Sequence, residues 1–176
     1  MELRLQLTLA ILKPHLVSNP FAVKEIRQLL LKNQFNVIKW KKHRISMEEA
    51  SKFYEEHKKK FFYNRLVTFV TSGPSEMYIL AKINAINDWR RLMGPTKVFK
   101  AQFEAPNTIR GTFGLSDTRN ATHGSDSDES AKREISILFP DFNYDLWFKM
   151  EEESFRMEKV DFIENEFVHK KRLLIN

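Results

Sequence analysis

The chain opens MELRLQLTLAILKP, residues 1–14. Leu3, Leu5, Leu7, Leu9 and Ile11 stand two apart, with Arg4, Gln6 and Thr8 between them. A period of two is the signature of a β-strand with one buried face. Lys13-Pro14 ends it, because proline has no amide hydrogen to give a ladder. A secretory leader would need an uninterrupted apolar segment and a small-residue cleavage site. Neither is visible here, nor is an Arg-rich amphipathic presequence ahead of this segment. The stretch reads as the first strand of the fold.

Working outward, Pro20 to Lys32 carries Phe21, Val23, Ile26, Leu29, Leu30 and Leu31 as a helical stripe, with Pro20 suited to its first turn. Phe35 to Ile45 predicts a second strand, and Lys39, Lys41, Lys42 and Arg44 give it a basic, wet face. Ser46 and Glu49 form a capping box for a helix reaching about His57. A short helix from Tyr63 to Thr71 is closed by Gly73-Pro74. Met77 to Ile83 predicts a third strand, and Asn84 a cap for a helix holding Ile86, Trp89, Leu92 and Met93. Thr96 to Thr122 reads as mostly irregular. A last helix starts at Asp126 or Ser127, runs to Phe139 and is stopped by Pro140.

Two β-α-β halves in this order fit the ferredoxin-like βαββαβ plan, an α/β (α+β) fold with a four-stranded antiparallel sheet and helices on one face. Residues 1–140 would form the domain. Residues 141–176, with an acidic cluster at Glu151 to Glu153 and a basic one at Lys170-Lys171-Arg172, would form a C-terminal extension, helical in part and frayed at its end.

Length and composition agree with a single domain. The chain has 176 residues, 42% of them hydrophobic and 12% aromatic, and its 15 phenylalanines argue against disorder. No apolar run approaches the roughly 18 residues of a membrane span. Without cysteine, a disulfide scaffold, a thiolate zinc site and a thiol nucleophile are excluded. The formal charge of +6 suits nucleic acid, an anionic surface or a phosphorylated small molecule, and does not choose among them.

The chemistry concentrates between residues 90 and 127. Gly94, Gly111, Gly114 and Gly124 fall there, together with Arg90, Thr96, Arg110 and Arg119. Glycine lets backbone approach a ligand, and the arginine fork holds phosphate oxygens in pairs. His123 stands just before a helix N-terminus, where anions are welcome and a charged imidazolium is not. A neutral imidazole beside an anion site can attack phosphorus. Taken alone, the pattern equally describes a loop histidine before a capped helix.

The segment Asn120-Ala121-Thr122-His123-Gly124-Ser125-Asp126 resembles the N-x-x-H-G-S-D active-site signature of nucleoside diphosphate kinases. Further matches follow in the family's order: Ala10-Ile11-Leu12-Lys13-Pro14, Phe61-Phe62 with Leu66, Ser72-Gly73-Pro74, Met93-Gly94-Pro95-Thr96 and Thr108-Ile109-Arg110-Gly111. They span roughly residues 5 to 140, and the chain is most similar to the type 6 members of animals. The resemblance implies a ping-pong exchange in which a histidine carries the γ-phosphoryl group of an NTP to an NDP with Mg²⁺. It implies His123 as nucleophile and Lys13 at the sugar 3′-hydroxyl and the transferred phosphoryl. Arg90, Thr96 and Arg110 would hold phosphates, Asn120 the sugar, and Phe62 the base. Tyr54, Gly124, Ser125 and Glu134 would support them. No protein ligand for the metal is implied, since Mg²⁺ would come on the phosphates.

Two features depart from the common pattern. His15 stands where the family usually has aspartate. The loop between Thr96 and Arg110 is longer, with Phe99 and Phe103 in it, and that argues against the hexamer this loop helps build in common members. The partners implied are ATP and other nucleoside di- and triphosphates, with a homo-oligomer or a protein partner through the long loop and tail. The alternative function is a weakly active or inactive nucleotide-binding or interaction module. Mitochondrial or cytoplasmic residence is expected, and nucleic acid is disfavoured. His15, His43, His57 and His169 show no metal spacing and read as structural or surface residues. Lys170-Lys171-Arg172 reads as a tail without a role.

Overall fold

A computed structural model describes residues 3–172. The first strand, β1 (Gln6–Leu12), lies in the interior of a four-stranded antiparallel sheet, with β3 (Ser75–Lys82) on one side and β4 (Thr122–Gly124) on the other. With β2 (Asn36–His43) at the far edge the order is β2-β3-β1-β4, the ferredoxin-like arrangement that the sequence pattern indicates.

The expectation of helices on one face is corrected. Leu7, Leu9 and Ile11 of β1 pack with Met77 and Ile79 of β3 in one core. Ala10 and Leu12 pack with Tyr78 and Leu80 in a second. Helices α1 (Pro14–Val17), α2 (Pro20–Lys32) and α5 (Ala85–Met93) close the second core through Leu16, Ile26, Leu30 and Trp89. Helices α3 (Met47–Phe53), α4 (Tyr63–Val70) and α8 (Asp128–Leu138) close the first through Phe53, Val67, Val70, Ile135 and Leu138. Helices on both sides explain why β1 is buried on both faces, Thr8 included, although its sequence alternates. Alternation reports side-chain polarity, and only the partners decide what is covered.

Local signals set most boundaries. The Ser46–Glu49 capping box starts α3, with each side chain bonded to the other's backbone amide. That helix stops at Phe53, and a 3-10 turn, Glu55–His57, takes over the last part of the expected helix. Ser127 caps α8 by accepting from the Ser130 amide. Asn84 does not cap α5: it sits at φ 60 with no such side-chain bond, and the Ile86 amide donates to the Gln6 side chain at 2.9 Å instead.

The stretch expected to be irregular contains two helices, α6 (Val98–Glu104) and α7 (Ile109–Phe113). Both are too short to display a helical period, and Pro106 separates them. Thr108 caps α7 by accepting from the Gly111 amide.

Residues past Pro140 are woven into the fold. Trp147 of α9 (Tyr144–Met150) and Phe155 of α10 (Glu152–Arg156) join the first core, and the Glu152 carboxylate accepts from the Leu5 amide at 2.9 Å. A hairpin of β5 (Val160–Ile163) and β6 (Val168–Lys171) then lies along the edge strand β2. The Val37 amide donates to His169 Nδ1 at 2.9 Å, and the Trp40 indole donates to the Glu166 carbonyl at 2.7 Å. Arg27 lies over the rings of both Trp40 and Phe167. The tail therefore has a structural role, and part of the strand expected to be wet is covered. A covered edge offers no template for foreign strands. The expectation of a frayed chain end concerns residues outside those described.

Candidate functional site

The site grows from the C-terminal end of β1. Lys13 leaves that strand with its amide donating to the Ala121 carbonyl at 2.9 Å, which ties β1 to the approach to β4. Its side chain is 4% exposed, and its ammonium nitrogen bonds Asn120 Oδ1 at 2.7 Å. Burial, then the Arg110 guanidinium, hold the Lys13 pKa down to about 7. Arg110, on α7, donates to the Gly94 carbonyl at 2.8 Å and to the Thr122 carbonyl at 3.1 Å. Burial, then neighbouring Arg90, lower its pKa to about 10. Two buried cations with depressed pKa values mark a place where negative charge is wanting.

His123 is the middle residue of β4, opposite Ile11. Its Nε2 lies 3.1 and 3.2 Å from the two carboxylate oxygens of Glu134 on α8. Glu134 is buried and also accepts from the Ser125 hydroxyl at 2.7 Å, which in turn accepts from the Leu9 amide at 3.1 Å. The Phe53 ring meets the imidazole edge-on at 4.9 Å between centroids. In the neutral tautomer that donates Nε2–H to this carboxylate, Nδ1 carries the lone pair. The helix terminus offers the imidazole no direct partner; that partner is Glu134, inside α8, which the family resemblance names as a supporting residue.

Gly124 is needed for contact rather than conformation. A Cβ there would lie 2.5 Å from Trp89 Cδ1 and 2.8 Å from Met93 Cε. The Trp89 indole donates to the His123 carbonyl at 3.0 Å, so the strand bearing the histidine rests directly on α5.

These groups surround one cavity of about 570 Å³. Lys13, Tyr54, Phe62, Arg90, Thr96 and Arg110 line it together with Asn120, His123, Gly124 and Glu134. Ser125 stands behind it as the support of Glu134. Tyr54 is buried against Phe53, at 5.0 Å between ring centroids, and burial pushes its phenol pKa up. Phe62 caps the start of α4, its ring 5.4 Å from that of Phe61, which is 86% exposed.

Arg119, grouped with the phosphate-holding residues by its sequence position, is absent from the cavity lining and lies over the Phe69 ring. His15 also packs on Phe69, at 5.5 Å, and burial lowers its pKa. Sequence reasoning missed Arg65, Arg133 and Asp117, which also line the cavity. Arg65 was findable, since it follows Phe62 by three residues on a predicted helix and so shares its side. No motif marks the other two.

The fold and the cleft define a ferredoxin-like domain with a cavity that is cationic at one side and aromatic at the other. Solved structures share it: the nucleoside diphosphate kinase of Aquifex aeolicus superposes with a TM-score of 0.73 at 36% identity, over 77% of this chain and 95% of that one. A halophilic nucleoside diphosphate kinase from Halobacterium salinarum, solved in complex with CDP, gives 0.71 at 32% identity over 81% of this chain and 97% of that one. The nucleoside diphosphate kinase family model matches residues 6–144, and the chain belongs to that family. Among its relatives are nucleoside diphosphate kinase 6 of Xenopus tropicalis, 49% identical over 94% of this chain and 93% of the relative, and nucleoside diphosphate kinase 6 of Homo sapiens, 48% identical over 94% and 89%.

Proposed function

We propose that the protein is an active nucleoside diphosphate kinase in which His123 carries the phosphoryl group. The observation that carries this reading is the imidazole pinned through Nε2 by Glu134, with Nδ1 left nucleophilic in a cavity that Lys13, Arg90 and Arg110 also line. Nδ1 attacks the γ-phosphorus of a bound NTP, the bond from phosphorus to the β-bridging oxygen breaks, and NDP leaves with the electron pair. A second NDP enters, and its terminal oxygen takes the phosphoryl back. Phosphoryl transfer asks the protein mainly for position and charge neutralisation. Arg90, Arg110 and the Thr96 hydroxyl hold the phosphates. Lys13, recharged by the incoming anion, meets the transferred group and the sugar hydroxyl, and Asn120 orients both lysine and sugar. Glu134 steadies the imidazolium that develops, and Ser125 fixes Glu134.

Phe62 stacks the base without choosing it, because every base has a π-face. Among the described residues no three His, Cys, Asp or Glu side chains group as metal ligands. Mg²⁺ keeps several waters and favours phosphate oxygens, so it fits this site as a passenger on the nucleotide. Bound there, it would neutralise charge on the phosphates.

The test is labelling by γ-labelled ATP with Mg²⁺. The native chain should take up an acid-labile, alkali-stable label and the His123→Ala chain none. Label in both, or in neither although nucleotide binds, would defeat the reading. A second reading, an interaction module, draws on α6, where Phe99 and Phe103 are 72% and 75% exposed with rings 4.8 Å apart. Such an exposed apolar pair suits a protein partner.

A further inference from the structure

We propose that Arg65 reads the edge of the nucleobase and gives the protein a preference for guanine over adenine. Arg65 lies on α4, whose N-cap is Phe62, and lines the same cavity as the two aromatic rings. Residues about one turn apart spring from the same side of a helix, and both side chains line the cavity in which the base is proposed to stack. It is exposed, and among the described residues it has no hydrogen bond or ion pair, so its donors are unspent. Arg27 and Arg133, by contrast, are tied down, Arg27 to Tyr78 and Glu76 and Arg133 to the carbonyls of Lys52 and Phe53.

The phosphates do not need Arg65. Arg90 and Arg110 on α5 and α7 already supply guanidinium forks, and Lys13 supplies an amine. At the aromatic side a guanidinium has another use. It is donor-only, and guanine offers two acceptors, O6 and N7, spaced for its fork. Adenine offers N7 beside an amino donor, which meets the fork with like polarity. A good bidentate pair of this kind discriminates by a factor on the order of 10 to 100. An exposed arginine should give the lower end, about five- to tenfold. The inference rests on the nucleotide site proposed above but not on any transfer step.

The test is calorimetric binding of GDP, ADP, IDP and 7-deaza-GDP to the full native chain, to Arg65→Met and to Arg65→Lys. No second nucleotide is present, so turnover plays no part. The native chain should bind GDP about five- to tenfold more tightly than ADP. IDP, which keeps O6 and N7, should behave like GDP, while 7-deaza-GDP should lose most of the advantage. Both variants should bring GDP and ADP within about twofold of each other while leaving ADP affinity unchanged. Equal weakening of GDP and ADP would make Arg65 a phosphate contact and overturn the inference, as would an unaltered GDP preference in Arg65→Met. If no diphosphate binds the native chain, the nucleotide site itself falls. If the GDP preference holds but His123 takes no label, the kinase reading falls and the inference stands.

Discussion

The two sides of the cavity are built on opposite principles. At the cationic side Lys13, Arg110, Asn120 and Glu134 are all buried, and each is bonded to a named partner. At the aromatic side Phe61 and Arg65 project into solvent, and Phe62 is half-buried. Buried polar groups must be satisfied, so each fixes the geometry of the next. Exposed groups adapt at little cost. Chemistry that requires fixed distances sits on the rigid side, and base recognition sits on the open one.

The comparison breaks if a change on the rigid side proves mild. Lys13→Met removes a charge that the phosphates would restore, and turnover should fall on the order of 10²- to 10³-fold in a coupled kinase assay. Glu134→Gln keeps the shape but not the charge behind the imidazole. Labelling of His123 in a quenched time course should slow by about 10- to 100-fold, with nucleotide affinity unchanged. On the open side, Phe62→Ala should weaken nucleotide binding about tenfold, at the lower part of the stacking range, and Phe61→Ala by less than about twofold. Calorimetry on the two variants would sharpen the contrast, or erase it if Phe61 proves the stacking ring.

The buried lysine also bears on stability. Lys13 titrates near 7 when folded, against an ordinary 10.5. Between those values the unfolded chain holds a proton that the folded chain lacks, so folding stability should rise with pH through this window. Below the folded pKa the buried charge is a standing cost. Lys13→Met should flatten the rise between pH 7 and pH 9 in urea unfolding.

Much of this was legible in the sequence, for reasons that differ by region. Strands β1 to β3 and helices α2, α3, α4 and α8 announce themselves through periodicity and caps such as Ser46 and Ser127, because local chemistry decides them. Helices α6 and α7 were hidden, since seven and five residues are too few to show a period. The second helical layer was hidden too, because the apolar groups that bury β1 on its other face come from elements far away in the chain. Asn84 shows a local signal overruled, with Gln6 taking over the helix start from a neighbouring strand. At the site, the phosphate-side residues could be named from motif spacing and do gather around one cavity. Arg119 could not be excluded by spacing, because the turn that carries it toward Phe69 leaves no mark in the sequence. The tail hairpin was equally unreadable: that His169 accepts from the edge of β2 depends on a meeting of residues 132 positions apart.

In the proposed cycle His123 both receives and returns the phosphoryl group. Its most direct test is to label the native chain with γ-labelled ATP, remove all nucleotide by rapid gel filtration, and add an unlabelled NDP carrying a different base. The label should leave the protein and appear as the γ-phosphate of the new NTP, as that cycle requires. A label that stays on the protein, or is released as inorganic phosphate, would contradict it.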